Sequence, residues 1–491
     1  MGILHFRIYK VTYLGNYRPI WFGFPKEKVT FGVLNTPMKD LTKGNELKLI
    51  TWFAMPMLLG NLFQQVYSFT DSAIVGKFVG SEALAAIGAS FPLIFILIAL
   101  AVGIANGINI VISQYYGAKD YEKVKRAIDT MYIFSFVAGL VLTIIGIAVS
   151  RPVFELINLP EEIMPHALLY FRIYSGGFIL MFGYYATAAI LRGLGDSKTP
   201  LYFLIISTIL NIGLDLLFIL GWGWGIEGAA IATVISQGFA FFLGAWYLRR
   251  KGSIINLQLR SFAFDKSIFR TAMRVGLPSG LQQSFVAIGG ILLYWIVNDF
   301  GVDVIAGYSA AMRIDSLASL PAMQLAAALS TFVGQNVGAN RMDRVRRGFI
   351  LTWWMSTGMA LLVTGAVVFF RTSLMSLFTD DQAVIEAGND YLIIVCAFYV
   401  VFSSMFITNG LLRGAGATLI PMFITLISIW VLRIPLSYIL SRDWTGLAET
   451  GIWWGIPVAW GFGAAASYAY YLSGKWKRYA VVKHEEIEEA L

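Results

Sequence analysis

Apolar residues run through this chain in long blocks, and polar residues are confined to the short gaps between them. Twelve blocks are long enough for a bilayer-spanning helix, which needs about 20 residues. They cover 47–76, 84–112, 127–150, 164–191, 200–221, 226–248, 271–298, 304–333, 348–370, 384–412, 420–441 and 451–473. The pattern predicts an all-α polytopic membrane protein.

The gaps repeat. Ser113-Gln114-Tyr115-Tyr116-Gly117-Ala118, followed by Val124-Lys125-Arg126, returns as Gly334-Gln335-Asn336-Val337-Gly338-Ala339 and Val345-Arg346-Arg347. Leu191-Arg192-Gly193-Leu194-Gly195 with Pro200 returns as Leu412-Arg413-Gly414-Ala415-Gly416 with Pro421. The offset stays at 221 residues. The chain therefore reads as two copies of a six-helix unit. An even number of spans per unit keeps the orientation, so the repeats are parallel. Repeated bundles are a common architecture of secondary transporters, with the site at or near their interface. The predicted organisation is an N-terminal arm at 1–40, an N-lobe at 41–248, a linker at 249–268, a C-lobe at 269–474 and a tail at 475–491. Residues 1–37 lack the apolar core of a signal peptide; the expectation is a dispensable arm, or a true start at Met38.

Composition sharpens this reading. The chain is 57% hydrophobic and 13% charged, against about 25% charged in soluble domains. Its 48 glycines suit close helix packing in lipid. Twenty-nine lysines and arginines fall in one alternating set of segments and four in the other. By the positive-inside rule both termini are then cytoplasmic, in the cell membrane. The net charge of +8 comes from those segments, so the basic balance points to the membrane surface and not to nucleic acid.

Several chemistries drop out. Cys396 is the single cysteine, and the histidines are His5, His166 and His484. No disulfide, metal cluster or His-based catalytic set can be assembled. No phosphate-binding loop of the Walker type is present. An enzyme is not expected, nor any cofactor.

Charged groups inside spans are expensive in lipid and are functional candidates. Asp71 lies near the outer end of span 1, Asp215 near that of span 5, and Thr233 enters with span 6. At 1.5 Å per residue the three share a depth ~8–10 Å below the outer surface. Asn211 is one turn from Asp215 on the same face. Two carboxylates in one dry site cannot both ionise cheaply, so the pair should share a proton or a monovalent cation. Arg313 and Asp315 of span 8 are candidates for lining the cavity. Arg172 and Arg433 read as structural pairs.

The opening Pro56-Met57-Leu58-Leu59-Gly60-Asn61, the run Phe69-Thr70-Asp71-Ser72, the Gln-x-x-Gly-Ala loops and the paired Arg-Gly-x-Gly loops resemble the multidrug and toxic compound extrusion (MATE) family, its DinF-like branch in particular. The resemblance spans about Leu41 to Lys477. It implies two lobes around a V-shaped cavity. It also implies that Asp71, Asn211, Asp215 and Thr233 form a cation site, with Gln64 and Tyr67 flanking it. Span 7 carries no acid between Arg274 and Asn298, and span 10 offers only Glu386 and Asp390 near its outer end, so no second cation site is implied for the C-lobe. The expected function is a monomeric antiporter. It would export small organic compounds, cationic and amphipathic in class, against protons or sodium ions. A flippase for a lipid-linked saccharide precursor shares the fold and stands as the alternative.

Overall fold

The computed structural model describes residues 38–250 and 263–483. The expected arm, most of the linker and the end of the tail lie outside the described residues, except 38–40, 249–250, 263–268 and 475–483. Among the described residues all regular structure is helical.

The first repeat comprises α1 (Glu46–Phe78), α2 (Ser81–Gly117), α3 (Tyr121–Leu156), α4 (Met164–Gly176), α5 (Phe178–Gly193), α6 (Lys198–Asp215) and α7 (Ile226–Arg250). The second comprises α8 (Lys266–Val297), α9 (Val302–Gly338), α10 (Met342–Met375), α11 (Gln382–Cys396), α12 (Tyr399–Gly414), α13 (Leu419–Leu426), α14 (Ile434–Leu440) and α15 (Thr450–Leu472). Eight spans meet a length and hydropathy criterion as single helices, and two more do so as bent pairs. The remaining two, α1 and α15, are long enough but diluted by polar, glycine and aromatic residues. The twelve expected spans are thus all helical, in two sets of six.

The bent pairs were not legible as bends. Spans 4 and 10 break by 50° and 51°, at Gly177 and at Ala397-Phe398. Those breaks are again 221 residues apart. Spans 5 and 11 also depart from the α-helix. A wide π turn runs over Leu216–Gly221 directly after Asp215, and another over Ile427–Arg433. Such turns are frequent at functional sites because they re-aim side chains. The repeat extends to backbone detail: Lys119 and Asn340, just past α2 and α9, both adopt positive φ (60° and 54°).

Three buried cores among the described residues explain how the repeats pack. One lies wholly within the first repeat around Phe154, Phe171 and Phe178. A second lies wholly within the second repeat around Tyr308, Tyr391 and Trp453. The third joins the repeats on the side of the basic loops, packing Leu41, Ile50, Phe53 and Ala54 against Leu325–Val337 of α9 and Trp476. The lobes are welded on the basic side and separate away from it, so the V opens on the opposite side. Glycine permits the weld. A Cβ on Gly103 of α2 would run into the Gly280 backbone of α8.

Candidate functional site

The carboxylates of Asp71 and Asp215 come together inside the N-lobe. Asp71 is 8% exposed, Asp215 and Asn211 are fully buried, and Thr233 is 4% exposed. Asp71 and Asp215 act directly on each other. Both oxygens of Asp215, Oδ1 of Asp71 and both amide atoms of Asn211 are buried without a hydrogen-bond partner. Unpartnered buried polar atoms are costly, and five of them belong to Asp71, Asn211 and Asp215. The four oxygens among them suit a proton or a small monovalent cation, and the Asn211 amide nitrogen can donate to a carboxylate. Among the described residues no His/Cys/Asp/Glu group forms a multidentate metal site.

Local structure makes the cluster. Asp215 is the last α-helical residue before the π turn. Tyr67, one turn before Asp71, donates its hydroxyl to Thr233 Oγ1 at 3.1 Å and so ties α1 to α7. Gln64 is half-buried two turns before Asp71. Two tyrosines of α4 complete the surroundings. Tyr170 and Tyr174 are buried, 5.9 Å apart ring to ring, and Tyr170 stands within electrostatic reach of both carboxylates. Sequence reasoning missed them. The signal was a Tyr-x-x-x-Tyr spacing in span 4, indistinguishable there from packing.

The charges of span 8 part company. Arg313 is exposed. Asp315 points into the C-lobe and accepts a 2.6 Å hydrogen bond from the Tyr399 hydroxyl, with Arg433 and Tyr391 nearby. Arg313 is thus exposed, while Asp315 is half-buried and bonded within its own lobe. Arg172 donates Nε to Ser150 Oγ at 3.1 Å, a structural role.

The basic-side seal is built from the repeated loops. Gln114 Nε2 donates to the Gly414 carbonyl at 2.9 Å, and Gln335 Nε2 donates to the Gly193 carbonyl at 3.0 Å. Their Oε1 atoms accept from Val481 N (2.7 Å) and Leu41 N (2.9 Å). Asn109 donates across the lobes to Thr331 at 3.0 Å. Arg344 of α10 pairs with Glu46 of α1 at 3.0 Å, both largely buried.

Two parallel six-helix lobes, sealed on one side, open on the other and holding a buried paired-carboxylate centre in one lobe, define a membrane transporter. The MatE family model matches residues 56–217 and again 278–439. The chain belongs to that family. It is 32% identical over 462 residues to the probable multidrug resistance protein YoeA of Bacillus subtilis, covering 92% of this chain and 99% of that protein. It is 25% identical over 427 residues to the multidrug export protein MepA of Staphylococcus aureus, covering 85% and 91%. Among solved structures it resembles an outward-facing multidrug resistance MATE transporter with a TM-score of 0.84, at 25% identity over 90% of this chain and 99% of that one.

Proposed function

We propose that this protein is a secondary active antiporter of the DinF-like branch, exporting small amphipathic organic compounds in exchange for protons or sodium ions. The observation that carries the reading is the burial, without hydrogen-bond partners, of five polar atoms on Asp71, Asn211 and Asp215. A cation or proton bound there stabilises one arrangement of the lobes, and substrate in the cleft stabilises the other; that opposition couples the two fluxes. Family membership and the multidrug names of YoeA and MepA support export.

The excess of lysine and arginine in the loops of the sealed side supports a cytoplasmic location for that side and for both termini. The described conformation is then outward-facing, in the cell membrane, and one chain supplies both lobes and the whole cation site, so a monomer suffices. A flippase for a lipid-linked diphosphate would need a strongly cationic cavity. Among the described residues, the outer halves of α1, α2, α8 and α9 show two exposed cations, Lys77 at the very end of α1 and Arg313 within α9. The test is wild-type protein in proteoliposomes under an imposed pH or sodium gradient. Dye accumulation that follows one gradient and collapses with an ionophore is expected. Gradient-independent movement would contradict antiport.

A further inference from the structure

The seal and the open cleft share one helical register. Asn109 of α2 meets Thr331 of α9 across the lobe boundary. Eighteen residues are five full turns of α-helix. Five turns outward from Asn109 and Ser113 lie Phe91 and Phe95; five turns outward from Thr331 and Gln335 lie Arg313 and Leu317. The stripe that closes the seal therefore carries these four residues where the lobes have parted. Their exposure agrees: Phe91 is 59%, Phe95 37% and Leu317 50% exposed, and Arg313 is exposed as well. Phe91 and Arg313 are 222 residues apart, as are Asn109 and Thr331, so each pair keeps the same stagger between α2 and α9. The register thus sets Phe91 on α2 and Arg313 on α9 along the stripes that meet at the seal.

The two walls differ in chemistry. On the N-lobe wall, Phe91 and Phe95 form a ring pair with centroids 5.9 Å apart. On the C-lobe wall, the Arg313 guanidinium makes no ion pair among the described residues, and its backbone carbonyl accepts from Ser316 Oγ. The carboxylates of α1, α2, α8 and α9 do not neutralise it. Asp71 is buried in the N-lobe, Asp315 is turned to Tyr399, and Glu46, Glu82 and Asp303 sit at helix ends. Between Glu82 and Gly117, and between Arg274 and Val297, α2 and α8 carry no charge.

We propose that Arg313, Phe91 and Phe95 form the recognition site for an amphipathic aromatic compound bearing a carboxylate or comparable anionic group. The rings take its apolar body and the guanidinium takes its anion, in the planar bidentate geometry arginine offers. This is opposite in sign to the cationic class expected from the sequence. The inference deepens the export reading and rests on it for physiological meaning.

Two xanthene dyes of opposite charge test it: 5-carboxyfluorescein and rhodamine 6G, titrated at equilibrium into the protein in lipid nanodiscs, with empty discs subtracted. Wild type is expected to bind carboxyfluorescein at least about tenfold more tightly. Arg313→Gln should erase that preference, Arg313→Lys should keep part of it, and Phe91→Ala should weaken both dyes alike. A wild-type preference for rhodamine 6G, or an unchanged preference in Arg313→Gln, overturns the proposal. The wild-type comparison decides the matter even if a variant does not fold. Binding at equilibrium needs no gradient, so a dye preference without driven transport would sink the antiport reading and leave this one standing.

Discussion

Gln114 and Gln335 make the same bond in opposite directions across the lobe boundary. Each donates its side-chain amide to the carbonyl of a glycine in the other repeat, at 2.9 and 3.0 Å. Their oxygens hold the two ends of the helical unit, at Val481 and Leu41. A repeat that supplies both halves of its own seal closes symmetrically, and opening that side breaks both bonds together.

Removing the latch should shift the lobes. A buried hydrogen bond contributes about 0.5–1.5 kcal/mol net, so Gln114→Ala or Gln335→Ala should move the conformational equilibrium by roughly two- to tenfold toward the form open on the basic side. The double substitution should move it further. Spin labels on either side of the seal, read by pulsed electron resonance, give the populations. Unchanged distance distributions in the double variant would remove the latch.

Close approach at the seal should be equally intolerant in both repeats. A Cβ at Gly117 would overlap the Gln335 carbonyl, and one at Gly338 would overlap that of Gln114. Gly117→Val and Gly338→Val should both disfavour the sealed state and reduce export to a similar degree, while Gly88→Val, with open space around it, should not. A Gly338→Val variant with normal efflux would contradict the packing.

Sidedness follows from the basic loops. Cysteine placed at Lys119 or Asn340, equivalent positions past α2 and α9, should react with an impermeant maleimide in inverted vesicles and not in intact cells. Labelling of intact cells at either site would reverse the topology.

The lobes should be unequal in coupling. The positions equivalent to Asp71 and Asp215 are Leu293 and Leu436. Asp390→Asn should leave gradient-driven efflux within about twofold of wild type. Thr233→Ala, which removes the bond from Tyr67, should weaken coupling about tenfold at most, since one neutral hydrogen bond contributes about 1 kcal/mol. Loss of transport in Asp390→Asn as complete as in Asp215→Asn would argue for a second site.

What the sequence made legible were properties that survive without side-chain geometry. The 221-residue register gave the two lobes, and hydropathy gave twelve spans. Depth along the helices brought Asp71, Asn211, Asp215 and Thr233 to one level. The breaks at Gly177 and Phe398 and the π turn after Asp215 were hidden because the apolar pattern runs through them unchanged. Tyr170 and Tyr174 were hidden because a buried tyrosine at a site and one in a core look alike in sequence. Arg313 and Asp315, two residues apart in span 8, read as lying on different faces; which face meets the lobe interior was hidden until the fold showed Asp315 turned to Tyr399 and Arg313 exposed.

The central claim is that Asp71 and Asp215 bind one proton or cation together. Close carboxylates sharing a ligand act as a unit. The direct measurement is efflux from proteoliposomes against external pH and sodium for Asp71→Asn, Asp215→Asn and the double variant, each checked for normal folding. Each single substitution should abolish gradient-driven efflux, and the double should be no worse than either. Near-normal, gradient-driven transport in Asp71→Asn would contradict the account.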